Sequence, residues 1–538
     1  MNKLHTNNIS FLKTADLFFV FALLSRFLFI VFQPLKDTDY ELVHIAADNL
    51  IAGKGLAFPR TFLNDLSVIY YDPMRYWPPF TALLVALVKT VTNNVIVTDL
   101  FLLFTGMTGL LFTLKKIIKA LELNPVFQCI IWIILATNPS AFSAIGLSDL
   151  YGCLFCLWST FLCISYLNSF QQNKTIPLFA SLIFFLPAAF RYQYYPVIFA
   201  FPLFLIIAGR VTLQPNLVRK GFYSFFLVTL FLGLQSLFLS YHTNSIVYAN
   251  DPKGFFPANL VFMYPVFIKA LINSSYFENR MLEFFEWFNL PYLIVNLTLM
   301  VIVYLFLTRY FIIRFRMIRN VLNEFIDKKK ILLQFLFFIV ASAVIFTLAA
   351  ASLIYNNRSK TFGGWTYVNE ARYFMVPVLL ILPMLLKLIQ EKFKRISLLS
   401  ILLGIAMLYN VALWCKFVYN IISDNLSKKE VQNIADRAFI HNKILNLQKN
   451  PLPVIVSYTE PYFAFFPIQE RYAITKKINI LLDSGYKTTE PVQLLIITEK
   501  NPLQNVTDFL FRNNATAIYT GQQCKLFYLV VEKNSSSK

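Results

Sequence analysis

Two carboxylates one residue apart, Asp37 and Asp39, are the groups in this sequence whose presence most needs a chemical explanation. They lie in KDTDYELVHIAADNLIAGKGLAF, residues 36 to 58, between two apolar runs. A carboxylate can accept a proton from an attacking hydroxyl and can balance positive charge in a transition state. The dipole of a helix that begins beside them would also stabilise both carboxylates without any chemistry, and the spacing alone leaves both explanations open.

The segments around this stretch are those of a membrane protein. The chain is 57% hydrophobic and 14% charged, and its mean hydropathy is +0.59. Apolar runs that can cross roughly 30 Å of hydrocarbon recur from about Ala15 to about Asn420. They predict a polytopic α-helical membrane protein with about 11–13 transmembrane helices: about eleven if one of the pairs 79–114 and 175–208 is a broken or re-entrant element, and thirteen if a further pair of spans is present.

A small soluble α/β domain is expected to follow the membrane part. Charged and amide residues return near Ser423, and three short apolar runs beyond it have the length and composition of strands. These runs are PVIVSY (453–458), QLLIIT (493–498) and LFYLVV (526–531). We therefore predict a transmembrane domain over residues 1–422 and a soluble extracytoplasmic domain over residues 423–538.

The distribution of charge predicts which loops face the cytoplasm. The net charge is +20, and the densest basic stretch, residues 309–330, lies in a connection between spans. Short basic loops are cytoplasmic by the positive-inside rule, so the charge reflects topology and contact with membrane lipids, and nucleic-acid binding is not expected. With a cytoplasmic start of the first span, the outer loops fall near residues 34–78, 242–285 and 356–372.

The sequence after the acidic pair predicts an amphipathic helix. Thr38 and Glu41 have the spacing of a capping box, and Gly53 and Gly55 provide a stop. We expect this helix to lie in the outer interface with its apolar stripe against acyl chains. That stripe consists of Val43, Ala46, Ala47, Leu50 and Ile51.

Two stretches of the sequence carry a resemblance to a known family. The first combines the acids with the pattern Y…A..NL..GKGL.F, from Tyr40 to Phe58, and with YYDPMRYWPPFTALLVAL (70–87). The second is WTYVNEARYFMVPVLLILP (365–383). Together they resemble the integral-membrane GT-C glycosyltransferases, which include protein mannosyltransferases and the aminoarabinose transferase of lipid A. The acids are split as Asp-Thr-Asp here, where the commonest family pattern has them adjacent.

The resemblance implies a GT-C-like fold and a glycosyltransferase that moves a sugar from a polyprenyl-phosphate donor to a lipid, glycan or protein acceptor at the extracytoplasmic face. Alignment of the asparagine and glycines of NLIAGKGL places Asp39 at the family's catalytic acid, with Asp37 as its neighbour. Arg372 and Arg191 are the expected ligands of the donor phosphate, because a guanidinium binds phosphate in two places. A divalent metal is an alternative source of that charge, and Asp149 is a possible second acid.

Other interpretations of the sequence stay open. Asp149 is also in position to cap a helix, and Arg191 is also placed to snorkel to the interface. A transporter or flippase for lipid-linked saccharides is the main alternative function, although no repeated halves are visible, and a non-catalytic membrane scaffold is another. The expected location is a bacterial inner membrane with an extracytoplasmic active site, with an endoplasmic reticulum membrane as the alternative. The sequence specifies neither the sugar nor the acceptor.

Overall fold

The computed structural model describes residues 2–32, 38–74, 78–137, 146–168, 178–243, 325–354, 375–392, 398–423, 449–458, 472–475, 478–521 and 524–533, with shorter pieces between 298 and 316 and between 439 and 447. Asp37 and Arg372 lie outside the described residues. The chain forms two compact units, Met1–Leu35 with Leu103–Val418, and Lys36–Leu102 with Tyr419–Lys538.

The helices with complete bounds are numbered along the chain. They are α1 (Asn2–Phe32), α2 (Thr38–Ile51), α3 (Phe80–Thr92), α4 (Val95–Ala120), α5 (Pro125–Thr137), α6 (Leu147–Asn168), α7 (Leu178–Phe190), α8 (Tyr195–Val211), α9 (Pro215–Thr243), α10 (Phe325–Ile354), α11 (Met375–Lys392), α12 (Leu398–Ser423), α13 (Ile478–Ser484) and α14 (Gln504–Arg512). A 3-10 turn, Tyr192–Tyr194, joins α7 to α8.

The first unit is an assembly of apolar helices, which confirms the prediction of a polytopic α-helical membrane protein. Within the described residues, six helices are long and apolar enough to cross a bilayer. Their spans are Thr14–Val31, Val97–Ala120, Leu147–Asn168, Tyr192–Val211, Pro215–Tyr241 and Lys328–Ala350. The total of about 11–13 spans stays a prediction, because apolar segments such as 286–297 lie outside the described residues.

Two helices in the pairs expected to contain a broken element are short. α3 and α7 each have 13 residues. At 1.5 Å per residue they are about 20 Å long, which is less than the thickness of the hydrocarbon core. α7 also contains Pro187, which cannot donate the backbone hydrogen bond of a regular helix.

α8 and α9 form a tight hairpin in the first unit. Residues 212–214 make the turn, where the Thr212 amide donates to Ala208 O and the Gln214 amide donates to Gly209 O. A Cβ on Gly221 would lie 2.6 Å from Ile206 Cγ1 and 2.9 Å from Pro202 O. Glycine is therefore required at this close approach of the two helices.

The second unit contains a seven-stranded mixed sheet. Its strands are β1 (Ala57–Phe62), β2 (Asp65–Pro73), β3 (Val454–Tyr458), β4 (Tyr472–Ile474), β5 (Val492–Glu499), β6 (Thr516–Thr520) and β7 (Cys524–Val531). The order across the sheet is β2-β1-β4-β3-β5-β7-β6. β4 is parallel to both β1 and β3, β3 is parallel to β5, and the other pairs are antiparallel. The three strands predicted near the C-terminus are confirmed as β3, β5 and β7.

The sheet draws its first two strands from the loop that carries the acidic pair. Leu66, at the start of β2, is fully buried in the same hydrophobic cluster as residues of β5, α13 and α14. The Leu66 amide donates to Lys487 O and the Lys487 amide donates to Leu63 O. From the sequence, this loop was assigned to the transmembrane domain. The boundary at residue 422 concerns which residues enter the membrane, and it stays a prediction.

α2 spans Thr38–Ile51, as its capping and stop residues predict, and Gly53 and Gly55 have positive φ angles of 75° and 76°. The expectation of a lipid-facing stripe is wrong for most of its members, since the helix is packed against α3 and β1. Val43, Ala46 and Ala47 are buried, and Ile51 remains 48% exposed. Neighbouring protein, and not acyl chains, covers the apolar side of α2.

Candidate active site

The candidate catalytic acid lies at the start of α2. Asp39 is the second residue of that helix, which is the position predicted for it, and Asp37 precedes the described part of the loop. The first turn of a helix leaves backbone N–H groups without intrahelical acceptors, and its dipole favours negative charge there. Asp39 therefore occupies a helix position that suits an acidic residue, while its catalytic role stays a prediction.

One face of α2 is held by two polar contacts. The ring nitrogen Nε2 of His44 lies 2.8 Å from Asp99 Oδ1, and Lys89 Nζ lies 2.6 Å from Asp48 Oδ1. His44 and Asp48 are one helical turn apart, so the contacts share one face of the helix. Burial, and to a lesser extent the Lys89 ammonium, lowers the pKa of His44 to about 3. A neutral His44 donates through Nε2–H to Asp99, and the pair fixes the rotation of α2.

The turn after α2 gives the NLIAGKGL motif a structural role. The Asn49 amide group donates through Nδ2 to Ala57 O at 2.6 Å, and the Lys54 backbone amide donates to Asn49 O at 2.8 Å. Lys54 Nζ donates to the Tyr71 hydroxyl at 2.6 Å. These bonds connect the end of α2 to β1 and β2, so the motif determines how the helix enters the sheet.

The first unit brings together two residues that the sequence singled out separately. Arg191 Nε donates to Asp149 Oδ1 at 2.6 Å, and Arg191 Nη2 donates to Asp149 Oδ2 at 3.1 Å. The side chains of Arg191 and Asp149 are 12% and 3% exposed. This is a buried, two-pronged ion pair between the first turn of α6 and the residue before the 3-10 turn. The carboxylate orients the guanidinium and compensates its charge.

The helices and the turn that carry this ion pair also carry buried polar and aromatic groups. The Tyr151 hydroxyl lies 3.1 Å from Thr105 Oγ1, and Gln235 Nε2 donates to the Tyr195 hydroxyl at 3.1 Å. Tyr194 is fully buried against Gly152, where a Cβ would lie 2.6 Å from the Tyr194 ring. Buried hydrogen-bonding groups are costly among apolar helices, so such a cluster indicates a functional site.

Sequence reasoning missed two buried polar residues of the first unit. Arg26, within the first span, is 1% exposed and its guanidinium lies 4.7 Å from the centre of the Phe29 ring. Gln235, within α9, is 6% exposed. The available signal was a charged or amide side chain inside an otherwise apolar run, which is uncommon in spans and marks functional positions. A metal site is not visible, since no three His, Cys, Asp or Glu side chains cluster among the described residues.

Comparison with known proteins identifies the architecture. No protein-family model and no curated protein matches the sequence. Two crystal structures of ArnT from Cupriavidus metallidurans match the fold with a TM-score of 0.52, over 95% of this chain and 97% of that chain. One is bound to undecaprenyl phosphate and is 9% identical to this chain, and the other is in the apo state and is 10% identical.

The chain is therefore a multi-pass membrane protein with the fold of these ArnT structures. The resemblance found in the sequence motifs is confirmed at the level of architecture, and the structures it matches are those of ArnT. At 9–10% identity the match covers the fold alone, so the reaction has to be argued from this chain's own residues.

Proposed function

We propose that this protein is a membrane glycosyltransferase that moves a sugar from a polyprenyl-phosphate donor to a lipid, glycan or protein acceptor. The observation that carries the proposal is the fold shared with ArnT along nearly the whole of both chains, since one of those structures holds undecaprenyl phosphate. The acidic pair at the start of α2 and the buried Arg191–Asp149 pair supply chemistry suited to such a reaction.

In the proposed reaction, the acceptor hydroxyl attacks the anomeric carbon of the donor. A bond forms between the acceptor oxygen and that carbon as the bond from the carbon to the phosphate oxygen breaks. The Asp39 carboxylate accepts the hydroxyl proton, and its negative charge balances the oxocarbenium character of the transition state. Asp37 steers the acceptor or adjusts the charge of its neighbour. The products are the glycosylated acceptor and free polyprenyl phosphate.

The leaving phosphate needs positive charge, for which Arg191 and Arg372 are the proposed source. Asp149 acts through Arg191, because its two hydrogen bonds hold the planar guanidinium in one orientation. A fixed guanidinium pays no reorganisation cost as negative charge develops on the phosphate. A lysine at position 191 would keep the charge and lose this two-pronged orientation.

Helix connectivity supports an extracytoplasmic position for the ion pair. Asp149 begins α6 and Arg191 follows α7, so their contact joins the start of α6 to the end of α7. Lys220, near the start of α9, lies 5.4 Å from the ring of Tyr166 at the other end of α6. Arg210 and Lys220 flank the turn between α8 and α9, which the positive-inside rule assigns to the cytoplasm. The Arg191–Asp149 pair then belongs to the opposite, extracytoplasmic end.

The proposal is tested with the purified full chain in lipid vesicles. Radiolabelled undecaprenyl phosphates carrying single hexoses or pentoses are supplied together with a lipid extract, glycans and membrane proteins as acceptors. Transfer of label from one donor to one acceptor class is the expected result. A chain that moves labelled donor across the bilayer, yet transfers no sugar from any of them, would be a flippase and would contradict the proposal.

A further inference from the structure

The polar cluster beside Arg191 contains hydrogen-bonding atoms that the fold itself does not use. Gln235 Oε1 is buried and accepts no hydrogen bond among the described residues, although Nε2 of the same side chain donates to Tyr195. Gln193, in the 3-10 turn, hydrogen-bonds the Tyr194 hydroxyl, whereas the Tyr195 hydroxyl, which accepts from Gln235, keeps its own O–H hydrogen for a further acceptor. Buried polar groups normally have partners, so these atoms point to a ligand.

The charge of the cluster restricts the chemistry of that ligand. Arg191 and Asp149 compensate each other through two hydrogen bonds. The remaining groups, Gln235 and the Tyr195 hydroxyl, are neutral. A neutral set with one unused acceptor and one unused donor matches a hydroxyl group, which can donate and accept at once. An acyl chain would leave both atoms unsatisfied.

Aromatic rings line the same turn. The rings of Tyr192 and Tyr195 meet edge to face with centroids 5.4 Å apart, and Tyr194 is buried against Gly152. Tyrosine combines an apolar ring with a hydroxyl, so a group with both C–H surfaces and several hydroxyls suits this lining. A sugar ring has both properties.

We infer that Gln235 and the Tyr195 hydroxyl form a binding site for the sugar of a lipid-linked donor, next to the turn that follows Arg191. The inference rests on the proposed function for the lipid that carries the sugar. It assigns sugar recognition to α9 and the start of α8. Gln235 is the residue that distinguishes a sugar-bearing lipid from the bare lipid phosphate.

This site is tested by measuring the binding of donor lipids, and not by measuring enzymatic turnover. The full chain in nanodiscs is titrated with undecaprenyl phosphate and with undecaprenyl phosphates that carry mannose, glucose, galactose or arabinose. The wild type should bind at least one sugar-bearing lipid more tightly than the bare lipid. Gln235→Leu should lower that preference by about five- to tenfold, the effect of one or two hydrogen bonds, and leave affinity for the bare lipid unchanged.

A control on the same helix separates recognition from folding. Thr229 is exposed and its hydroxyl donates only within α9, to Phe225 O, so Thr229→Val should change neither affinity. Gln235→Leu should lower the melting temperature by only a few degrees, because it removes one hydrogen bond, to the Tyr195 hydroxyl, together with a buried acceptor that has no donor within the described residues.

Three results would overturn the inference. They are an unchanged sugar preference in Gln235→Leu, an equal loss of affinity for both lipids, and a wild type that prefers none of the four sugars. The first of these would mean that a buried water satisfies Gln235. If the chain prefers a sugar-bearing lipid but transfers no sugar, this inference stands and the proposed function fails. If the chain transfers sugar but Gln235→Leu keeps the wild-type sugar preference, the proposed function stands and this inference fails.

Discussion

The replacement Leu66→Ala should loosen the C-terminal part of the sheet, although residue 66 belongs to the loop that follows the first span. Leu66 is fully buried in the cluster that contains Leu494 and Ile496 of β5. Truncation of a buried leucine to alanine costs about 2–5 kcal/mol, from lost burial and from the cavity that remains. We expect about 3 kcal/mol here, since Leu66 has no exposed surface.

Hydrogen exchange measures this effect at the strand concerned. Amides of β5 exchange when the sheet opens, and each 1.4 kcal/mol changes the opening equilibrium tenfold. Leu66→Ala should therefore speed exchange in β5 by about a hundredfold in the full chain. Val68→Ala, at a residue of the same strand that is 44% exposed, is the matched control and should change it by less than about threefold. Unchanged exchange in Leu66→Ala would refute the shared core.

Three further sets of variants test other contacts. Hydrogen bonds from Ser67 and Thr489 outweigh the effect of burial and lower the pKa of Asp65 to about 2, so the stability from this carboxylate is present above pH 4 and is lost as pH falls towards 2. Asp65→Asn should remove that pH dependence, which amounts to less than about 1 kcal/mol because the carboxylate is partly exposed, and an unchanged acid unfolding curve would contradict the assignment. His44→Leu should lower the melting temperature and the transfer rate, whereas His44→Gln, which keeps a hydrogen-bond donor, should retain most of both. Equal decreases in melting temperature and rate in the two variants would argue against the bond to Asp99. Arg191→Lys, which keeps the charge and loses the two-pronged bond to Asp149, should weaken donor binding about tenfold, and an unchanged donor KM would exclude contact with the phosphate.

Local patterns in the sequence were sufficient to predict individual helices and strands. The capping residues and the glycines predicted the start and end of α2, and short apolar runs predicted β3, β5 and β7. Each of these signals depends on neighbours within a few residues. The resemblance to GT-C enzymes depended on two such stretches, and it predicted the architecture correctly.

Contacts between residues far apart along the chain could not be predicted from the sequence. Asp149 and Arg191 are 42 residues apart and His44 and Asp99 are 55 apart, so no periodic pattern relates them. The expectation of a lipid-facing α2 failed for the same reason, because an apolar stripe does not distinguish acyl chains from a neighbouring helix. β1 and β2 form a local antiparallel hairpin that the sequence analysis missed, and the pairing of β1 with β4, a short strand hundreds of residues later, has no local signal.

The initial rate of sugar transfer by the Asp39→Asn variant, compared with the wild type and with Asp37→Asn, tests the central claim most directly. The substitution keeps the shape of the side chain and removes the base, so the rate should fall by about two or more orders of magnitude with donor binding preserved. The Asp37→Asn variant should lose less of the transfer rate, and part of its effect should come from a lower affinity for substrate. A near wild-type rate in Asp39→Asn would contradict the account. If Asp37→Asn were then inactive, Asp37 would be the base and the two roles would be exchanged. If both variants were active, the two acids would only stabilise the start of α2.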